Sequence, residues 1–303
     1  IDEGQKRSVE KEALMHARQK LQLAVELDPS FAEAYHELGA VDAKLDLNIA
    51  AKVAFEKCVQ LKPHSASSTT SLKTIKLKIK YLQRTKDHYK NALAQDPTNP
   101  VNAQKLAAVF RLEEPVEAKK YLEQAIDLDP SNVNVLHELA DVLVEVGDLP
   151  SAKTAYEKCK VLTPLSGTVA HDLGMVLRRL GEEEEACKEH ERAAKIQPDN
   201  AAFWYELGVA LDSASESLQA KVAYENAILI RSDYAVAFVG LGFALWRLGD
   251  LLGAGEVFTR GHSLFPSRSI FHRSLKDLVM EIGATHDFAK TAAMNKKEQA
   301  STH

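Results

Sequence analysis

Cysteine is scarce in this 303-residue chain: there are three, with no C-x2-C pair among them. An odd count without paired spacing excludes the disulfide framework of a secreted chain, and no N-x-[ST] sequon occurs. A reducing compartment is the default. Long apolar runs are missing too. The longest stretch without a charged residue, Tyr234–Trp246, falls short of the roughly 18 residues a membrane-spanning helix needs. Charge of one sign is also lacking, since 38 Lys and Arg face 43 Asp and Glu for a formal balance of −5 spread along the chain. Catalytic signatures are absent: there is no G-x-S-x-G, no G-x4-G-K-[ST], no H-E-x2-H and no EF-hand loop, and Gly240 and Gly242 have no third glycine in phase. The reading is therefore of a chain without catalysis and without a cofactor. What is present is 45% apolar residues, enough for a large core in two ordinary domains or one elongated array.

Seven of the ten prolines fall in one register. Pro29, Pro63, Pro97, Pro130, Pro164, Pro198 and Pro266 are separated by 34, 34, 33, 34, 34 and 68 residues, with Ser232 in the one empty slot. A fixed period of this size marks a solenoid. Between prolines the apolar spacing is helical and nothing alternates with period two, so each unit is a helix pair. In the unit 201–234, Trp204, Leu207, Gly208 and Leu211 mark a first helix, and Ala220, Tyr224 and Ala227 a second. Each set forms one stripe, with small residues where two backbones approach and large ones filling the space between. A single unit leaves its outer faces uncovered, so neighbours must stack.

These residues resemble the W-x2-L-G-x2-Y, A-x3-F-x2-A, P pattern of the tetratricopeptide repeat (TPR) family. Seven units keep the register: 32–65, 66–99, 100–132, 133–166, 167–200, 201–234 and 235–268. The second-helix signature recurs as Ala51-Phe55-Cys58, Ala118-Leu122-Ala125, Ala152-Tyr156-Cys159, Ala186-His190-Ala193 and Ala254-Phe258-Gly261. The resemblance implies an all-α fold, a right-handed α-solenoid (superhelix) of antiparallel helix pairs. Unit 66–99 departs from the pattern, with Lys73 and Lys76 in first-helix core slots and Thr85 for the second-helix alanine. Its stripe Leu72, Ile75, Ile79 and Leu82 still predicts a helix pair with shifted packing. The next unit is one residue short, with Glu113-Glu114-Pro115 replacing the turn that contains Gly147, Gly181 or Gly249 elsewhere.

Residues 1–31 read as a partial repeat, a second helix with Ala17, Leu21 and Ala24 but no first helix. The start in mid-repeat at Ile1 carries the expectation of removed upstream sequence, a targeting peptide among the candidates. Residues 269–288 read as a capping helix with Leu275 and Val279 in register, and 289–303 as a polar tail.

Three local constellations have plain readings. Cys58 and Cys159 stand in small second-helix slots, where cysteine packs as a small hydrophobe. His137 and His171 share a slot of adjacent units, with Asp141 one turn after His137. Tetrahedral zinc needs three or four ligands and the row supplies no more, so no metal is assigned. Lys73, Lys76, Lys78, Lys80, Arg84, Lys86 and Lys90, offset by Asp87 alone, give a local charge of +6. An acidic protein surface or simple solvation is the favoured reading there. Nucleic acid is disfavoured by thin aromatic interleaving and a pI near 6.2.

Counted from the first residue of each unit, slots 2, 5, 9 and 12 lie on the first helix about 130° from the core stripe. In TPR proteins this face lines a concave groove that takes an extended peptide or a helix. The family's carboxylate clamp is missing, because slot 5 holds His36, Thr70, Gln104, His137, His171, Tyr205 and Val239 where lysine is needed. The asparagine ladder of O-GlcNAc transferase repeats is missing from slot 6 as well. The last three units are distinctive: His171, Met175 and Arg178, then Tyr205, Val209 and Asp212, then Val236, Val239, Phe243 and Trp246, bordered by Arg178, Arg179 and Arg247. A first helix that is apolar all round is buried by its own chain or by a partner. The expected ligand has apolar anchors with acidic residues beside them.

The function implied is a non-catalytic scaffold or adaptor binding proteins, foremost as a subunit or assembly factor of a larger complex. Alternatives are a transient peptide receptor or co-chaperone-like module without the clamp, and a targeting domain of a larger enzyme such as a glycosyltransferase. The expected location is cytoplasmic, or an organelle interior after loss of a targeting peptide.

Overall fold

A computed structural model describes residues 3–111, 113–266 and 268–281, with side chains from residue 13 onward. Every regular element among them is a helix. The chain divides into two compact units, 1–164 and 165–303.

The first unit holds α1 (Glu3–Leu27), α2 (Ala32–Lys44), α3 (Asn48–Leu61), α4 (Ala66–Gln95), α5 (Pro100–Phe110), α6 (Pro115–Leu128), α7 (Val133–Val146) and α8 (Leu149–Leu162). The second holds α9 (Gly167–Leu180), α10 (Glu183–Ile196), α11 (Ala201–Ser213), α12 (Ser217–Ile230), α13 (Ala235–Arg247), α14 (Leu251–Leu264) and α15 (269–281).

The proline register sets the boundaries between repeats. Helices α1, α3, α4, α6, α8, α10 and α14 all end two residues before their proline, which disfavours helical backbone in the residue preceding it. α12 ends at the same slot although Ser232 stands in for proline. Side-chain caps open most first helices: Ser65, Asn99, Asn132, Ser166 and Asn200 each accept a backbone N–H two or three residues on. Within pairs, the turn needs one left-handed residue. Gly147, Gly181 and Gly249 supply it with φ of 85°, 79° and 80°, and Asp46 and Ser215 fill the same slot at 60° and 64°.

Packing follows the signature. Ala51, Ala118, Ala152, Ala186, Ala220 and Ala254 are completely buried, and Phe55, Leu122, Tyr156, His190, Tyr224 and Phe258 fill the space between paired helices. Tyr224 shows how tight the fit is. A Cβ added at Gly208 or at Gly240 would stand 2.6 Å from its ring, so the ring is held between the backbones of two successive first helices.

Two expectations are corrected. Residues 66–99 form no helix pair: α4 runs unbroken for 30 residues. Its turn slot holds Lys80, and the segment from Leu77 to Thr85 contains no glycine, asparagine, aspartate or serine to take a left-handed conformation, so the helix continues. In α15 the buried face is Phe271, Ser274 and Leu278, while Val279 is exposed. Without a paired second helix among the described residues, the slots that normally meet it, His272, Lys276 and Val279, face solvent. The remainder of the expected cap (282–288) and the polar tail lie outside the described residues.

Candidate functional site

The groove-face residues of the second unit come from three first helices. His171, Met175 and Arg178 project from α9, Tyr205 and Val209 from α11, and Val239, Phe243 and Trp246 from α13; all are half-buried. Tyr205, Val209, Val239, Phe243 and Trp246 rest against the unit's main core cluster. Phe243 stacks on Trp246 at 6.0 Å and meets Phe258 edge-on at 5.4 Å; Tyr205 lies 5.4 Å from Tyr234. The Trp246 indole Nε1 donates to Glu281 Oε2 at 2.6 Å, so the end of α15 reaches this face and partly covers it.

The charged rim is corrected. Arg178 Nη2 lies 3.5 Å from Glu206 on the neighbouring first helix and 3.3 Å from the Met175 sulfur. Burial pushes the Glu206 carboxyl up, against the pull of Arg178 and His171. Arg247 pairs with Asp212, which also accepts the Tyr224 hydroxyl at 2.9 Å, and Arg247 Nε donates to Ser217 Oγ at 3.2 Å. Two of the three arginines expected to meet a ligand's acids thus neutralise acids of their own chain; Arg179 is exposed. Glu206 and Glu281 are the residues that sequence reasoning missed. Asp212 stands in groove slot 12 and Glu206 in slot 6, but nothing in one sequence says which arginine they meet.

The basic segment is likewise reduced. Lys86 is buried, its Nζ 2.9 Å from Glu114, 3.5 Å from Glu113 and 4.5 Å above the Phe110 ring. It ties α4 to the turn between α5 and α6. Lys76 pairs with Glu56 at 2.9 Å and Lys78 with Asp46 at 2.7 Å. Of the seven bases, Lys73, Lys76, Lys80, Arg84 and Lys90 are exposed, Lys76 within its ion pair.

No metal cluster of three or more His, Cys, Asp or Glu exists among the described residues. Asp141 accepts the Tyr156 hydroxyl at 2.6 Å and faces Arg111 at 3.4 Å. Burial alone would lower the Arg111 pKa, but Glu145 and Asp141 outweigh it and raise it. Cys58 and Cys159 are buried free thiols, and burial pushes Cys159 up to about 11, which makes it inert. Among the described residues no helix is long and apolar enough to cross a membrane.

Family models described as tetratricopeptide repeat match residues 109–158, and 32–65 with 168–200. No curated protein matches the chain. Similar solved structures include MamA, at 24% identity and TM-score 0.52 over 54% of this chain and 95% of that one. A MamA from Desulfovibrio magneticus RS-1, resolved from its residue 41 to its end, gives 23% and 0.50 over 61% and 97%. YrrB, titled a TPR protein with an unusual peptide-binding site, gives 18% and 0.55 over 62% and 97%. At these identities the likeness speaks for the fold alone. Family models matching in both units, with the alanine, aromatic and small-residue ladder buried as the repeat requires, show that the chain carries tetratricopeptide repeats in each of its two units.

Proposed function

We propose that this protein-interaction scaffold serves as a subunit or assembly factor of a larger complex, holding an extended or helical segment of a partner along the groove face of α9, α11 and α13. The observation that supports the reading is the row Tyr205, Val209, Val239, Phe243 and Trp246, half-buried apolar side chains on a helix face that pair packing does not consume. Aromatic anchors of this kind carry most of the energy at protein interfaces. Since Arg178 and Arg247 are engaged with Glu206 and Asp212, the ligand's anchors are apolar, and Arg179 is the exposed charge for an acid. Cytoplasmic placement fits the buried free thiols.

The test is a pair of variants, Val209→Asp and Phe243→Ala, compared with the native chain in pull-downs from native extract. Partner recovery should fall by about tenfold or more, equivalent to about 1.4 kcal/mol or more. Far-UV circular dichroism must stay unchanged. Equal recovery from well-folded variants contradicts the site.

A further inference from the structure

α4 packs by one stripe. Ser68, Ile75 and Lys86, at i, i+7 and i+18, are its buried residues, with Ile75 against Ala51 and Phe55 of α3 and Lys86 over Phe110 of α5. The opposite stripe, Lys73, Leu77, Lys80 and Arg84 at i, i+4, i+7 and i+11, is exposed, with Tyr81 beside Leu77. Leu77 and Tyr81 keep 59% and 69% of their surface in solvent. That face is open because α4 does not turn back. The slot of Lys73 is held in the second unit by Gly174, Gly208 and Gly242, where a ring from the paired second helix leaves no room for a Cβ. In 66–99 no second helix folds over it, and a lysine stands there in solvent.

The charge of this face is not answered within the chain. α4 holds seven Lys and Arg against one acid, Asp87. On other helices exposed bases meet acids of the same helix, as Lys120 does Glu117, Lys188 does Glu184 and Lys195 does Glu191. Lys76, at the border, is drawn to Glu56 of α3, but Lys73, Lys80 and Arg84 have no ion-pair partner among the described residues. Lys73, Lys76, Lys80 and Arg84 follow one another at steps of three and four residues, where like charges on a helix repel. Acids of a partner remove that repulsion.

We propose that this face takes a short acidic protein segment with an apolar anchor, its carboxylates on Lys73, Lys80 and Arg84 and its anchor against Leu77 and Tyr81. Lys73 to Arg84 spans about 17 Å of helix, the length of about five extended residues. The chain outside α4 is acidic, since the balance of −5 includes +6 from α4, so it repels a long polyanion such as nucleic acid or an anionic membrane and leaves room for a short segment. Two apolar side chains are also too few to hold a helix in a lipid surface. The surface belongs to the first unit and does not rest on the groove face of α9, α11 and α13.

Fluorescence anisotropy with a dye-labelled peptide of glutamates around one leucine, in physiological salt, compares the full chain with two variants of equal net charge, Lys80→Glu with Arg84→Glu on α4 and Lys188→Glu with Lys195→Glu on α10. All four positions are exposed, so helical content should match the native chain. The α4 variant should bind about tenfold more weakly or worse, and the α10 variant within about twofold of native. Leu77→Ser should weaken the leucine peptide and leave an all-glutamate peptide unchanged. A native chain that does not bind the peptide overturns the proposal, as do equal losses in the two charge variants or indifference to Leu77→Ser. Tighter binding of single-stranded DNA or of phosphatidylserine vesicles than of the peptide overturns it too, and gives the face to nucleic acid or to lipid.

Discussion

His190 occupies the slot that Phe55, Tyr156, Tyr224 and Phe258 fill in other repeats, completely buried and pressed on Gly174, where an added Cβ would stand 2.8 Å from Nε2. Tyr156 and Tyr224 send their hydroxyls to Asp141 and Asp212 on their own first helices. α9 offers Met175 and Arg178 in those slots, so a tyrosine at 190 would meet no acceptor. Neither ring nitrogen of His190 has a hydrogen-bond partner among the described residues, and burial, with His171 and Arg178 nearby, drives its pKa down to about 3. The unfolded chain takes up the proton near 6.5, so the stability of the neutral ring is complete above that pH and is lost as pH falls toward 3. The loss amounts to about 1.4 kcal/mol per pH unit. Replacing His190 by Phe should shrink the fall in stability between pH 7 and pH 5 by about 2 kcal/mol in urea titrations. Glu206, raised by burial, titrates in both proteins, so their difference isolates His190. An unchanged pH dependence contradicts the account. The sequence showed the slot through Ala186 and Ala193; the missing acceptor became visible only with Met175 and Arg178 opposite it.

α4 shows how a strong global period can mislead locally. The register predicted a pair, and Ile75 is indeed buried against Ala51 and Phe55 as a first helix requires. Yet the turn slot holds Lys80, and in its second half Lys86 replaces the buried signature with an ion-paired ammonium over Phe110. The signal was legible as an absence of turn residues, and periodicity outweighed it. Replacing Lys80 by Gly separates the two structures. In an uninterrupted helix it should cost about 1 kcal/mol, a lower melting temperature by a few degrees, whereas in a turn it would be neutral or stabilising as Gly147, Gly181 and Gly249 are. Helix ends were easier to read, because each is set by a local residue: a proline two positions on, an Asn or Ser cap, or a left-handed glycine. Asp46 and Ser215, left-handed without being glycine, fell outside that vocabulary.

At the scale of the chain, a net charge of −5 conceals local arrangements that matter more than the sum. Arg111, Arg178 and Arg247 are matched to acids from adjacent repeats, which leaves the second unit's groove face defined by its apolar row rather than by a charged rim. Fold and repeat were legible because they rest on slots repeated along the chain; the rim was not, because ion-pair choice between neighbouring helices has no period. We propose a partner segment along α9, α11 and α13. Its most direct measurement places a photo-crosslinking amino acid at Val209 or Val239, with exposed Val161 at the end of α8 as control, and irradiates the chain in native extract. The account predicts adducts with the same foreign protein at Val209 and Val239 and none at Val161. Adducts that are absent from both groove positions, or that appear equally at Val161, would contradict it.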